Sequence, residues 1–99
     1  MDNIFEVFDR YRRKIHLSKE RWKHIIHDHP EMSGKLNEIE NLVRSPLIIK
    51  DSKDGENVKH YYKYYKNLKQ KAKYLLVSVK YLNEHGYVIT SFYVDKIKK

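Results

Sequence analysis

The chain has 99 residues, with 21 Lys and Arg against 13 Asp and Glu, a net charge of +8 and no cysteine. That length holds one modest hydrophobic core, so residues 1–99 are read as a single domain. The missing cysteines exclude disulfides and thiolate zinc sites, and no apolar run approaches the ~20 residues of a membrane-spanning helix.

The opening MDNIFEVFDRYRR lacks the basic-then-apolar order of a secretion signal, which sets the expectation of a soluble cytoplasmic protein with no membrane partner. Ile4, Phe5, Val7 and Phe8, then a polar turn, then Ile15-His16-Leu17 predict two short strands. Ser18 is a candidate N-cap with Glu20 in the first turn. Trp22, Ile25, Ile26 and His29 follow at helical spacing within one sector, and Pro30 closes that helix. A second helix starts at Ser33-Gly34, buries Leu36, Ile39, Leu42 and Val43, and stops at Ser45-Pro46. Four strands are predicted after it. One begins at Leu47-Ile48-Ile49 and turns at Lys53-Asp54-Gly55-Glu56. The next runs from Val58 to Lys66, with a turn over Lys69–Lys73. The third spans Tyr74–Leu82, turning at Asn83–Gly86, and the last spans Tyr87–Val94. The fold class is therefore α+β: an N-terminal strand or hairpin, two helices, then an antiparallel sheet of about four strands with the helices packed on one face.

Charge is unevenly placed. Residues 1–49 carry 9 Lys and Arg against 8 Asp and Glu, whereas residues 50–99 carry 12 against 5. Between Asn57 and Tyr81 there are seven lysines, six tyrosines and no acid. Lysines neutralise phosphates and tyrosine rings stack on bases, so this half points to RNA as partner. The plainer alternative is lysine used for solubility, since Lys outnumbers Arg 16 to 5.

His24, His27 and His29 lie close together around Asp28, and imidazole suits proton transfer near neutral pH. His24 and Asp28 are four apart, but H-E-x-x-H is absent and no second ligand cluster exists, so no metal or other cofactor is expected. His29 lies in the apolar stripe and is equally a core residue at a helix end. His24 lies opposite that stripe and faces solvent unless a sheet edge or loop curls over it. A helix C-terminus attracts positive charge, which suits His29 to a general acid and leaves His24 as the base candidate, an assignment that the sequence leaves open to reversal.

If Tyr87, Ile89, Ser91 and Tyr93 face the helices, then Val88, Thr90 and Phe92 face the other side, with Thr90 as a central hydroxyl. Ser78 and Lys80 share one face of the neighbouring strand, and Lys80 beside Thr90 suits a developing phosphorane. On the long strand His60, Tyr62, Tyr64 and Lys66 share a face opposite Tyr61, Lys63 and Tyr65. Which of these faces meets the helices is open, as is whether its aromatics are core or stacking platforms. The candidate RNA contacts are Lys14, His16, Tyr62, Lys63, Tyr64 and Lys66.

Three stretches together carry a family resemblance: RKIHLSKERWKHIIHDHPEM (Arg13–Met32), YYKYYKNLKQKAKYLLVSVKYL (Tyr61–Leu82) and GYVITSFYVDKIKK (Gly86–Lys99). They resemble the small phage- and mobile-element-associated nucleases of the barnase–EndoU–colicin–RelE (BECR) superfamily. The resemblance implies a metal-independent endoribonuclease that attacks phosphate with the adjacent 2′-hydroxyl. Carried over by position, it implies His24 and His29 as proton-transfer groups, Lys80 as a phosphate contact, Thr90 as the strand hydroxyl, Tyr62 or Tyr64 as RNA-positioning rings, and Trp22 as packing. Such proteins often act as toxins, which makes a neutralising antitoxin protein a candidate partner. Two positions depart from the pattern. The last strand often reads Thr-Ala-Tyr, where this chain has Thr90-Ser91-Phe92, and the turn Asp9–Arg13 has arginine where glycine fits a tight hairpin. Two other function classes use the same residues: an RNA-binding module without chemistry, and a basic interaction protein for an acidic partner.

Overall fold

The structure is a computed structural model that describes residues 2–53, 55–65 and 73–97. Its elements are β1 (Asn3–Phe8), β2 (Lys14–Ser18), α1 (Lys19–Asp28), a 3-10 turn (Pro30–Met32), α2 (Leu36–Arg44), β3 (Ile48–Asp51), β4 (Val58–Tyr64), β5 (Tyr74–Tyr81) and β6 (His85–Val94). Over the described residues the protein is α+β, with two helices on one face of a six-stranded sheet ordered β1-β2-β6-β5-β4-β3. No helix among the described residues is long and apolar enough to cross a membrane.

The sheet is larger than the expected four antiparallel strands, and it is mixed. The N-terminal hairpin joins it through β2, which runs parallel to β6 over Lys14–His16 against His85–Tyr87. Among the described residues the other pairings are antiparallel. The hairpin covers an edge of β6 that would otherwise leave backbone groups unpaired. Its Ile15 and Leu17, both fully buried, extend the core sideways.

The core lies between helices and sheet. Ile25 of α1 and Ile39, Leu42 and Val43 of α2 pack on Phe5, Val7, Tyr61, Leu75, Val77, Val79 and Val88. Ser18 caps α1 as its sequence position predicts, its hydroxyl accepting from the Arg21 backbone N–H at 3.1 Å. The hairpin turn replaces glycine with a side-chain device. Asp9 Oδ1 accepts from the backbone N–H of Tyr11 and of Arg13, each at 2.8 Å, and Arg12 takes φ 63°. At the other end of the hairpin's neighbour, a Cβ on Gly86 would stand 2.8 Å from the Lys80 carbonyl oxygen, so only glycine lets β5 and β6 close there.

One register shift redistributes the last strand. Ser78 pairs with Thr90 but Val79 pairs with Val88, leaving Ile89 as a bulge. Strict alternation would put Tyr87 with Ser91 and Tyr93 on the helix side. The bulge instead turns Val88 into the core and leaves Tyr87 on the other face with Thr90 and Phe92.

Candidate functional site

The face away from the helices is assembled from rows of cross-strand partners about 5 Å apart at Cα. One row runs Thr90–Ser78–His60–Lys50, and the next runs Phe92–Leu76–Tyr62–Ile48. A third runs Tyr87–Lys80–Val58, and His16 stands beside Tyr87 from β2. The alternation of β4 settles its open question: Tyr61 meets the helices, and His60, Tyr62 and Tyr64 lie opposite.

His29 reaches this face although its helix packs on the other. Pairing of β2 with β6 stops at Tyr87, and α1 with the 3-10 turn packs along β6 beyond it. The end of α1 therefore carries His29 to Phe92, and the two rings stack with centroids 4.8 Å apart and planes at 22°. His29 Nδ1 lies 3.8 Å from a Glu31 carboxylate oxygen, and the His29 backbone N–H donates to the Ile25 carbonyl at 2.7 Å. The ring is thus held by an aromatic partner, an acidic neighbour and a helix cap. Thr90 lies two residues before Phe92 on the same face, so His29 and Thr90 belong to one neighbourhood.

The remaining candidates divide. His24 is exposed on α1 and is not brought to the sheet. Lys80 is paired with Tyr87 rather than Thr90, and its ammonium donates to the Glu56 carbonyl at 2.6 Å. Lys14 forms an ion pair with Glu6 at 3.5 Å. His16 stacks on His85 with ring centroids 6.1 Å apart, and the Tyr87 ring lies tilted to it at 6.0 Å. Burial pushes the His16 imidazole below its ordinary range, the charge of His85 adds to this, and Glu6 opposes it. Tyr62 is 1% exposed and Tyr64 47%, so of the two Tyr64 is the ring open to solvent. Lys63 points to the helix side, 5.9 Å from the Tyr65 ring. Lys66 lies outside the described residues, as do Asp54 of the predicted turn at 53–56 and positions 69–72 of the predicted turn before β5.

Two residues gain weight from the fold. His60 joins the row of Thr90 and Ser78. Its place on one face with Tyr62 is readable from alternation, but its alignment with Thr90 needs the register of three strands. Arg13 sits at the end of the sheet with its guanidinium carbon 4.0 Å over the Tyr81 ring. Its only sequence sign is the spacing from Asp9 within a tight turn. Among the described residues no group of three or more His, Cys, Asp or Glu side chains is arranged to hold a metal ion.

Comparison of the chain with family models, with curated proteins and with solved structures finds no match.

Proposed function

We propose that this protein is an endoribonuclease that cleaves RNA by attack of a 2′-hydroxyl on the adjacent phosphate. The P–O5′ bond breaks, leaving a 2′,3′-cyclic phosphate and a 5′-hydroxyl. The carrying observation is that His29, stacked on Phe92, stands on the same sheet face as Thr90, Ser78 and His60. Two imidazoles then flank a pair of hydroxyls, on a chain of net charge +8. In this reading one imidazole takes the 2′-hydroxyl proton and the other protonates the departing 5′-oxygen. His29, at the helix end beside Glu31, is the acid. His60 is the base in place of His24, because it shares the face with Thr90 and His24 does not. The Thr90 hydroxyl donates to a non-bridging phosphate oxygen, where negative charge grows.

The resemblance of the sequence to BECR nucleases supports the same reading, as does the order of hairpin, two helices and antiparallel strands. On that resemblance the protein is a phage-associated toxin, with a neutralising antitoxin protein as a candidate partner. The test is incubation with RNA followed by analysis of the new ends. Cyclic phosphates produced by the wild type and lost in both His29→Ala and His60→Ala support the assignment. Cleavage that survives both substitutions removes it.

One observation favours a second reading, an RNA-binding module without chemistry. Phe92 carries no hydroxyl where the resembling family often has tyrosine. That module binds RNA with a steep salt dependence and yields no product.

A further inference from the structure

At the end of the sheet, away from Phe92, Arg13, Asn57, Lys80, Tyr81, Leu82 and Asn83 enclose a recess of about 570 Å³. A second recess of about 330 Å³ shares Arg13, Asn57 and Tyr81 with it, so the two form one groove around the ends of β2, β4 and β5. The first carries two cations and two side-chain amides and no carboxylate, while the second adds Lys59 and Asp51, which are paired with each other.

Arg13 is fixed there by an ion pair with Asp9, its Nε 3.7 Å from Oδ2 and so beyond a hydrogen bond. The hydrogen bonds of Asp9 go to other donors: Oδ1 accepts two backbone N–H groups, and Oδ2 accepts the Tyr81 hydroxyl at 2.8 Å. The guanidinium lies 4.0 Å over the Tyr81 ring and 5.6 Å from the Tyr11 ring. A guanidinium held by its face keeps its in-plane N–H donors for a ligand, and their fork matches two oxygens of one phosphate. Lys80 is fixed by its bond to the Glu56 carbonyl and retains two further N–H groups and its charge. Asn57 is held at φ 60° with its carbonyl accepting the Tyr81 N–H at 2.8 Å.

We infer that this recess is a phosphate-binding subsite for the backbone of a single RNA strand, separate from the phosphate that is cleaved. The inference rests on the proposed function for its choice of RNA. Lys80 shares its face with Ser78 and Thr90, so a strand crossing that face leads its backbone into the recess. Lys80 is two residues from Ser78, the partner of Thr90, along β5, a span of roughly 7 Å. Arg13 and Lys80 therefore hold a phosphate beyond the scissile one, and they set affinity and register rather than chemistry.

The experiment is fluorescence anisotropy of the full chain with a labelled 2′-O-methyl oligonucleotide, which lacks the attacking hydroxyl and cannot be cleaved by this route. Lys80→Gln, Arg13→Gln and a control, Lys35→Gln, are titrated across salt. Lys35 is the control because it pairs with Glu38 on α2, away from the groove. Lys80→Gln and Arg13→Gln should each weaken binding about three- to tenfold and reduce the log–log salt slope by about 0.7, the value for one phosphate contact on a single strand. Lys35→Gln should match the wild type. Lys80→Gln spares the Asp9–Tyr81 bond, so it tests the recess even if Arg13→Gln unfolds the turn. Wild-type affinity and slope in Lys80→Gln overturn the inference. So does an oligonucleotide that fails to bind while a polyglutamate peptide binds in a Lys80-dependent way, which makes the recess a carboxylate site. Because the probe resists cleavage, Lys80-dependent binding by a protein without nuclease activity supports the subsite and removes the enzyme. Cleavage with Lys80-independent binding does the reverse.

Discussion

The His29 imidazole stacks on Phe92, ring centroids 4.8 Å apart, although α1 packs on one face of the sheet and the Phe92 side chain lies on the other. That contact ties the end of α1 to the strand bearing Thr90. Phe92→Leu keeps an apolar side chain and removes the aromatic face. An aromatic pair contributes about 0.5–1.5 kcal/mol beyond its buried area, so the loss of orientation corresponds to roughly two- to tenfold in rate. The turnover of RNA should fall by that factor with little change in KM. A change confined to KM in steady-state kinetics is the opposite result, and it makes Phe92 a binding surface.

His16 gives stability a dependence on pH. Its imidazole is pushed below the ordinary value of 6.5 by burial and by His85, against the opposing charge of Glu6, and Tyr87 packs on it from β6. The unfolded chain therefore takes up this proton at a higher pH than the folded one. The stabilisation is complete above about pH 6.5 and is lost as pH falls through that value and then through the lower folded one. Urea midpoints should decline between pH 7 and pH 5, and His16→Gln should flatten the decline. An unchanged slope in the variant assigns the effect to other groups.

Tyr61 and Tyr81 share a hydrogen bond, and Tyr81 passes the chain on to the buried Asp9 carboxylate. Burial raises both phenols above their ordinary 10.0. Raised phenols stabilise the fold fully below pH 10, and that contribution drains away as pH rises further. Tyr81→Phe removes the donor to Asp9 Oδ2 and leaves a buried acceptor short, at a cost of about 1–3 kcal/mol. Chemical denaturation at pH 7 measures that loss. A variant as stable as the wild type shows that Asp9 is satisfied by its two backbone donors alone.

Arg12 occupies the left-handed region at φ 63°, where a side chain costs about 1–2 kcal/mol. Glycine removes that strain but adds about 0.4–1 kcal/mol of unfolded-state entropy. The strain is the larger effect, so Arg12→Gly should stabilise the protein by about 0.5–1 kcal/mol in thermal or urea unfolding. Destabilisation means that Arg12 makes compensating contacts.

Much of the local structure is legible in the sequence because it rests on local chemistry. The Ser18 cap, the Ile25 face of α1, and Ile39, Leu42 and Val43 of α2 follow from capping and the helical period. The features that assemble the site are non-local. Parallel pairing of β2 with β6 joins segments some 70 residues apart, and no pattern within either one encodes it. The bulge at Ile89 breaks the two-residue period that alternation assumes, so Val88 and Tyr87 exchange faces. Tyr61 and Tyr62 lie on opposite faces of β4 and both are buried, a condition under which alternation cannot separate core from surface. The histidine pattern around Asp28 is plain in the sequence. That His29 meets β6 while His24 stays exposed depends on where the helix ends relative to the sheet edge.

The most direct measurement is incubation of the purified protein with total RNA in excess EDTA, beside His29→Ala at the same concentration. Discrete fragments ending in 2′,3′-cyclic phosphate with the wild type, and intact RNA with the variant, are the expected result. Intact RNA in both lanes, or equal cleavage in both, contradicts a nuclease centred on His29.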